Sequence, residues 1–270
     1  MNRSQIDKRR RHLIVWEPKI VDSVRFDHRT LKEYGHVYCP SVDWAAELNG
    51  NVFNWPQDEL SQYEDLRLWA LRRNKAVVVQ ANKFSSSKGE MYSLRREVCA
   101  DLSSEIDLYG VGWNSGLIAD FTKWIHSLVR SKFRNVDFTS LKNIGNYYSN
   151  YFGPTNDKIQ QMSKYRFAVV IENSTDYVSE KLFDAVSAGC IVLYIGPKLE
   201  RFGIPTDAAY ECAPSFWAIQ NKMRELQKLD LTRLNSIRKR QREAMEEIVF
   251  SWKNEIVLAN LARLILKNMS

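Results

Sequence analysis

Hydrophobic positions in the middle and second half of the chain alternate between short strand-like runs and segments with helical spacing. Continuous runs of β-branched and apolar residues are typical of strands buried on both faces of a parallel sheet; here they span 76–80, 105–109, 167–171 and 191–195. The helical segments between and beside them are 90–103, 158–163 and 179–188. Strands that alternate with helices predict a parallel α/β sheet.

The two ends of the chain have other patterns. Near the start, 13–16 reads as a short buried strand that Pro18 closes, and 34–38 reads as a second strand. Apolar spacing predicts a helix over 60–73 with a start near Pro56, whereas 215–270 reads as almost wholly helical. We therefore predict three parts: a small N-terminal domain (1–74), a Rossmann-like unit (75–214), and C-terminal helices (215–270) that pack across the domains.

The amino-acid composition excludes several classes of protein but does not indicate a function. Hydrophobic residues make up 44% and charged residues 26% of the 270 positions, which excludes disordered and disulfide-dense classes. The four cysteines form no C-x-x-C pair, so neither a zinc site nor a redox pair is expected. No apolar run approaches the roughly 20 residues of a membrane-spanning helix, and the apolar run near the N-terminus is too short for a signal peptide. These features predict a cytoplasmic protein.

The charge favours an anionic partner without identifying it. Lys and Arg number 39 against 32 Asp and Glu, a net charge of +7, which suits nucleic acid, an anionic membrane face or a phosphorylated substrate. No basic stripe interleaved with aromatic residues occurs, so nucleic acid is the weakest of the three. Peripheral contact with the inner membrane face through basic residues and the C-terminal helices stays open.

Polar residues follow the strand at 167–171, where parallel α/β sheets bind their ligands. Glu172, Asn173 and Ser174 come directly after this strand, and a helix begins a few residues later, capped by Ser179 or Asp176. The free N–H groups of that helix, with Lys181 in its first turn, predict an anion site. The alternative is an ordinary βαβ unit whose polar loop residues are only solvated.

Two missing motifs restrict the chemistry. No D-x-D occurs in the sequence, so a metal-bridged diphosphate has no obvious ligands. Neither G-x-G-x-x-G nor a P-loop motif occurs, which argues against a dinucleotide fold and a P-loop. A diphosphate bound here would have to be neutralised by Arg, Lys and helix termini, and we expect no metal and no cofactor.

Several segments together resemble the α1,3/4-fucosyltransferases, a family of glycosyltransferases. The donor-binding signature of that family is similar to YRFAVVIENS (165–174), DYVSEKL (176–182), the Ala-Gly at 188–189 and the Gly-Pro at 196–197. Upstream, EMYSLRR (90–96) and IDLYGVGW (106–113) resemble its arginine helix and a following strand, and LIVWEP (13–18) resembles a strand that ends in a glutamate element.

The resemblance implies a GT-B-like α/β fold with two Rossmann-like domains, of which the N-terminal one is shortened. It implies an inverting, metal-independent transfer of fucose from GDP-fucose to a hydroxyl of a glycan acceptor, with an α1,3-type linkage in a surface polysaccharide or lipopolysaccharide. Glu17 would be the general base, and Arg95 and Lys181 would neutralise the pyrophosphate. The other implied donor-binding residues are Tyr109, Gly110, Glu172, Asn173, Ser174, Tyr177, Glu180 and Gly196.

The sequence departs from the family pattern in three places. The N-terminal domain is short, residues of about 115–145 look inserted, and Ile195 stands where the family has an aromatic residue. Arg96 competes with Arg95 for the same role. Two other functions therefore remain: a transferase with another nucleotide-sugar donor, and a nucleotide- or glycan-binding protein without catalysis. Glu17 likewise has the alternative of a plain strand-end carboxylate.

Overall fold

The computed structural model describes residues 6–54, 56–131 and 136–269. The chain divides into two compact units, one formed by Met1–Glu59 with Ile248–Ser270 and the other by Leu60–Glu247. Residues 60–74 and 215–247, which the sequence analysis assigned outside the Rossmann-like unit, thus belong to the second unit. The division between Glu247 and Ile248 falls within helix α9 (Leu231–Ser251).

The first unit holds a small parallel sheet. Its strands are β1 (His12–Ile14), β2 (His36–Cys39) and β3 (Asn51–Val52), hydrogen-bonded in that order. The helices of this unit are α1 (His28–Leu31), α2 (Val42–Leu48) and α10 (Asn254–Lys267). Ser41 caps α2 by accepting a hydrogen bond from the N–H of Trp44 at 3.4 Å, and Asn49 ends that helix in the left-handed conformation.

The second unit is built on a larger parallel sheet with the strand order β5-β4-β6-β7-β8. The strands are β4 (Arg73–Val79), β5 (Ile106–Tyr109), β6 (Tyr165–Ile171), β7 (Ile191–Ile195) and β8 (Tyr210–Glu211). The helices are α3 (Leu66–Ala70), α4 (Tyr92–Asp101), α5 (Gly116–Arg130), α6 (Lys158–Met162), α7 (Glu180–Ser187), α8 (Phe216–Gln227) and α9. The parallel α/β fold class predicted from the alternation of strands and helices is confirmed.

Strands β6 and β7 lie in the core of the second unit. Every residue of β7 is buried, and so are six of the seven residues of β6. One face of the sheet packs side chains such as Phe167, Ile191 and Leu193 against Val98 of α4 and Met223 of α8. Strands covered on both faces carry continuous apolar runs, which is the pattern seen in the sequence.

The helix predicted over 60–73 is wrong outside its central five residues. Only Leu66–Ala70 is helical, and Asp65 caps it. Before it, Ser61 donates its N–H to Ser187 Oγ at 2.8 Å, and Arg238 donates to the carbonyl of Glu64 at 2.9 Å. These tertiary contacts hold 61–64 in a non-helical course, which the local apolar spacing could not reveal.

No helix within the described residues is long and apolar enough to cross a membrane.

Candidate functional site

A buried carboxylate lies directly beyond the carboxyl end of β6. Glu172 is fully buried, and its own N–H still pairs with the carbonyl of Ile195 at 2.9 Å. The carboxylate accepts hydrogen bonds from Ser179 N at 2.9 Å and Ser179 Oγ at 2.7 Å, and from Lys181 Nζ at 3.3 Å. Glu172 is therefore held by three donors from the start of α7, and it ties that helix to the end of β6.

Lys181 is the cation of this cluster. Its Nζ lies 2.6 Å from Ser179 Oγ and 3.3 Å from Glu172 Oε2, and its side chain is 15% exposed. An ammonium has three donors, and within the described residues these two acceptors occupy two of them. Since Lys181 stands in the first turn of α7, its third donor and the positive end of that helix together suit an anion.

Glu180 lies beside Lys181 but is more open, with 44% of its side chain exposed. Burial acts to raise its pKa, but the nearby charges of Lys181 and Lys158 outweigh this, and the pKa is lowered from its usual value. Lys158 Nζ lies 3.6 Å from the Glu180 carboxylate. Glu180 is thus ionised at neutral pH and can accept hydrogen bonds from a ligand or face a positive charge.

Arg95 lies behind this edge of the sheet, and the residue is only 2% exposed. Its guanidinium donates to the carbonyls of Ala81 (3.1 Å), Ile171 (2.6 Å) and Glu172 (3.1 Å), and to Asn173 Oδ1 (3.2 Å). Its Nε has no partner among the described residues, and burial lowers its pKa. Arg95 therefore joins the end of β4 to the end of β6, and its guanidinium is directed at these oxygens.

Arg96, the competing residue, holds a different part of the chain. It donates to the carbonyls of Lys83 (3.0 Å), Ser140 (2.7 Å) and Lys142 (3.3 Å), and it lies 4.3 Å from the ring centre of Phe84. None of these contacts reaches residues 172–181. Of the two arginines, only Arg95 contacts the polar segment after β6.

The loop before α4 pairs with the segment after β6. Met91 N donates to the carbonyl of Asn173 at 3.0 Å, and Thr175 N donates to the carbonyl of Gly89 at 3.2 Å. Glu90 caps α4 through the N–H groups of Tyr92 and Ser93, at 2.7 and 3.0 Å, and burial raises its pKa. This role of Glu90 was not predicted from the sequence, although an acidic residue at the amino end of a helix is a recognisable signal.

Asn173, Ser174 and Tyr177, in the loop between β6 and α7, are also buried. Ser174 Oγ donates to Asp176 Oδ1 at 2.6 Å, which shapes the loop between β6 and α7. The structure thus brings together seven of the predicted residues: Arg95, Glu172, Asn173, Ser174, Tyr177, Glu180 and Lys181.

Gly196 directly follows β7, the strand next to β6, and so lies at the same carboxyl edge of the sheet as Glu172. A Cβ atom on Gly196 would overlap the phenol oxygen of Tyr194 and lie 2.9 Å from Glu172 Cγ. The Tyr194 hydroxyl is buried and has no partner among the described residues, and burial, with the nearby charge of Glu172, raises its pKa well above the usual value. Tyr194 is thus a member of this site that the sequence analysis did not assign to it.

Tyr109 and Gly110 stand at the end of β5, but the Tyr109 side chain is directed elsewhere. Its hydroxyl lies 3.2 Å from that of Tyr165, which donates to Asp107 Oδ2 at 2.8 Å. Gly110 has φ +130°, and a Cβ atom there would collide with the carbonyl oxygen of Gln80. The Tyr109 hydroxyl thus lies beside Tyr165 and Asp107. At position 110 a glycine is needed because the backbone of Gln80 approaches so closely.

Glu17 belongs to the first unit. The chain continues from β1 with Val15 N donating to the carbonyl of Tyr38 at 2.8 Å, and the ring of Trp16 meets Phe53 edge-on at 5.0 Å. Glu17 itself is half-buried in the bend that follows, next to the buried Pro18. The strand predicted over 13–16 is present as His12–Ile14, so it ends before Val15, and the role of Glu17 stays a prediction.

A metal site is not evident within the described residues, where no group of three or more His, Cys, Asp or Glu side chains could hold an ion.

Comparison of the chain with known proteins gives similarity in fold. No family model matches the sequence, and no curated protein matches it significantly. Anabaena HepE in complex with UDP and glucose is similar, with a TM-score of 0.58, 14% identity, and coverage of 96% of this chain and 72% of HepE. The pneumococcal O-GlcNAc transferase GtfA, in complex with UDP and GlcNAc, is similar with a TM-score of 0.50 and 12% identity. The match covers 96% of this chain and 53% of GtfA.

An α1,3-fucosyltransferase structure also matches, with 15% identity over 66% of this chain and 39% of its own, but its TM-score of 0.39 carries no weight. At these identities the likeness concerns the fold alone. The chain has the mixed α/β fold with parallel sheets of GT-B glycosyltransferase structures.

Proposed function

We propose that this protein is a glycosyltransferase that takes a nucleoside diphosphate sugar as its donor. The observation that supports this most is the cluster of Glu172, Ser179 and Lys181 at the amino end of α7, beyond the carboxyl ends of β6 and β7. In parallel α/β sheets this edge is where ligands bind, and a helix amino end with a lysine suits a phosphate. The GT-B-type fold agrees with this use of the site.

In this proposal the diphosphate binds at the start of α7. Glu172 balances part of the Lys181 charge and fixes the position of its Nζ, so that the remaining donor is oriented before the ligand arrives. When the sugar leaves, negative charge grows on the diphosphate, and one well-placed donor stabilises it by about 3 kcal/mol. Glu180 would accept hydrogen bonds from ribose hydroxyls or face the developing positive charge on the sugar.

For the donor we propose GDP-fucose, because the segments 165–182 and 90–96 resemble the fucosyltransferase signature. The second candidate is a UDP-sugar, which the ligands of HepE and GtfA favour, since those structures hold UDP with glucose or GlcNAc. GDP-fucose and a UDP-sugar differ in the nucleotide base and in the sugar, whereas the Lys181 cluster is proposed to bind only the diphosphate that they share. A direct comparison of nucleotides is therefore the decisive measurement.

The reaction that follows from this proposal is a direct displacement. An acceptor hydroxyl oxygen forms a bond to the anomeric carbon while the bond from that carbon to the diphosphate oxygen breaks, which inverts the configuration. The hydroxyl proton passes to a carboxylate, for which we propose Glu17, and the negative charge passes to the diphosphate. The acceptor would be a glycan, and no metal is required in this proposal.

A thermal-shift series tests the donor. GDP and GDP-fucose should stabilise the protein more than UDP, UDP-glucose or CMP, equally in magnesium and in EDTA. A ligand at 100 times its Kd stabilises by about 2.7 kcal/mol, which is readily detected. A clear preference for UDP would replace GDP-fucose with a UDP-sugar, and a need for a divalent ion would contradict the metal-free site.

Donor hydrolysis without an acceptor separates the enzyme from a binding protein. A transferase releases the nucleoside diphosphate slowly into water, whereas a binding protein leaves the donor intact. Lys181→Ala is the control, because release that persists in this variant would come from a contaminant. A parent protein that binds the nucleotide yet releases none would point to the non-catalytic alternative.

A further inference from the structure

Two histidines stack on one face of the small sheet in the first unit. His12 of β1 is the register partner of His36 in β2, and the centres of their rings lie 5.0 Å apart with an angle of 18° between the ring planes. Tyr38 follows two positions later in β2, so its side chain lies on the same face as His36, and its ring stacks with that of His12 at 5.8 Å. Both imidazoles are half-buried, and the phenol beside them is fully buried.

The Tyr38 hydroxyl connects this cluster to the end of α10. It lies 3.0 Å from His12 Nδ1, and its oxygen accepts a hydrogen bond from Asn268 Nδ2, also at 3.0 Å. Asn268 directly follows the last residue of α10 and caps that helix. A chain of two hydrogen bonds therefore runs from β1, through β2, to the C-terminal end of α10.

The direction of these bonds fixes the protonation state of His12. Because the Tyr38 oxygen accepts from Asn268, the hydroxyl proton is donated to His12 Nδ1. A neutral imidazole that accepts at Nδ1 carries its proton on Nε2, and this Nε2 is buried without a partner among the described residues. The lone pair on Nδ1 that would take a second proton is therefore already engaged by Tyr38.

The surroundings of His12 also oppose a positive charge on its ring. The titratable group that β2 stacks on the ring is His36, and the group that α10 brings to the cluster is the uncharged amide of Asn268. Arg11, the cation next to His12 in the chain, donates to the backbone carbonyl of Glu33. Burial is the larger cause that lowers the pKa of His12, and the charge of His36 lowers it further; no carboxylate of the described residues raises it.

We propose that His12, Tyr38 and Asn268 form a latch that holds the end of α10 on β2 at neutral pH and releases it in mild acid. A proton that binds His12 Nδ1 makes this nitrogen a donor, so the Tyr38 oxygen must accept from it. The hydroxyl proton then turns toward Asn268 Nδ2, which is itself a donor to the same oxygen. Two donors face each other there, and the hydrogen bond that attaches α10 is the one that is lost.

The lowered pKa gives the direction and the pH range of the effect. Because folding lowers the His12 pKa, the neutral ring stabilises the folded arrangement. This contribution is fully present above the ordinary pKa of 6.5, and it is lost as the pH falls through the lower folded value. None of the three residues has a role in the proposed transfer reaction, so the latch can be tested without a donor or an acceptor.

Hydrogen exchange followed by mass spectrometry tests the latch on the full chain. The exchange rate of each peptide is divided by its intrinsic rate at the same pH, which leaves the protection that structure provides. From pH 7.5 to pH 5.0, the protection of the last turn of α10 should fall about tenfold, the effect of losing one buried hydrogen bond. Peptides from β7, in the second unit, should keep their protection. Equal protection of α10 at the two pH values, or an equal loss in β7, would overturn the proposal.

Three variants identify the groups concerned. His12→Phe keeps a ring against His36 but cannot be protonated, so the protection of α10 should be the same at both pH values. His28→Phe is the matched control, because His28 is an exposed histidine of the same unit, and it should show the fall seen in the parent. Asn268→Ala removes the bond from α10 and leaves the buried residues in place, so protection should be low at both pH values.

The Asn268→Ala variant keeps the proposal testable even where His12→Phe does not fold. A fall in His12→Phe as large as in the parent would show that another group senses the pH. Parent-like protection of α10 at pH 7.5 in Asn268→Ala would show that this bond does not hold the helix end. Either result would contradict the latch.

Discussion

The phenol of Tyr194 occupies the space that a side chain on Gly196 would need, and the Cγ atom of Glu172 lies 2.9 Å from the same point. Both neighbours are buried, so neither can move aside freely. Gly196→Ala should therefore displace the Tyr194 ring or Glu172. We expect a loss of about 1–3 kcal/mol in the free energy of unfolding, measured by urea denaturation, together with weaker nucleotide binding.

A double-mutant cycle tests whether Tyr194 is the cause. Tyr194→Leu shortens the side chain, so Gly196→Ala should cost less in that background than in the parent. Equal costs in the two backgrounds would show that the alanine is limited by something other than the Tyr194 phenol.

Arg95→Met should lower both stability and nucleotide affinity. The variant strips donors from the carbonyls of Ile171 and Glu172 and from Asn173 Oδ1, and unfolding should become easier by about 3 kcal/mol or more. Because those oxygens fix the segment that holds Glu172, calorimetric titration at a temperature where the variant is folded should show weaker nucleotide binding.

Arg96→Met is the matched control for this prediction. Arg96 is as deeply buried and also donates to three carbonyls, but its contacts lie at Lys83, Ser140 and Lys142. It should cost a similar amount of stability and leave the affinity for nucleotide nearly unchanged. The reverse pattern would assign the donor-site role to Arg96.

Lys181→Ala should cause a large loss of nucleotide affinity, and it should also lower stability, because it leaves the buried Glu172 carboxylate without its cation. One donor of about 3 kcal/mol corresponds to a loss of roughly 100-fold in Kd for a nucleoside diphosphate. Lys158→Ala is the comparison, since its side chain is 50% exposed and pairs with Glu180 and Asp184. Parent-like affinity in Lys181→Ala would move the proposed diphosphate site away from α7.

Glu17→Gln tests the proposed general base. Transfer should fall by roughly 10²–10⁴-fold, the usual contribution of a positioned acid–base group, while nucleotide binding stays near the parent value. The acid limb of the pH–rate profile should disappear as well. Glu47→Gln, an exposed carboxylate of the same unit, is the control. Transfer within about twofold of the parent in Glu17→Gln would leave it as a strand-end carboxylate.

The buried phenols predict how stability changes at high pH. Burial raises the pKa of Tyr148, Tyr165 and Tyr194 in the folded protein. A raised pKa favours the protonated folded state, so this stability is fully present below the unfolded pKa of about 10 and is lost as pH rises above it. The protein should therefore unfold in alkali, as followed by circular dichroism.

Tyrosinate absorbance identifies the residue concerned. The absorbance of the folded protein is read at about pH 11, above the unfolded pKa of tyrosine. Tyr194→Phe should leave the native signal unchanged and lower it only after denaturation. A native signal that falls in Tyr194→Phe would mean that Tyr194 is accessible to solvent.

The strands and the candidate site could be predicted to different degrees. The strand at Ile191–Ile195 is found where the apolar run predicted it, and Tyr165–Ile171 begins two residues earlier than expected. Such runs are informative because burial on both faces demands apolar residues at every position. The pairing of Glu172 with Ser179 and Lys181 joins residues up to nine apart, so a local pattern could place them on one edge.

What the sequence by itself determined is therefore the parallel α/β class, the polar edge after β6 and the helix that begins beside it, because apolar periodicity and helix capping act over a few residues. Tertiary structure alone decided that Arg95 faces Ile171 and Glu172, residues more than seventy positions away. It also decided that the Tyr109 hydroxyl meets Tyr165 and that the apolar side of α5 stays exposed. The physical reason is that long side chains reach partners which only chain packing brings near, and no local spacing records those partners.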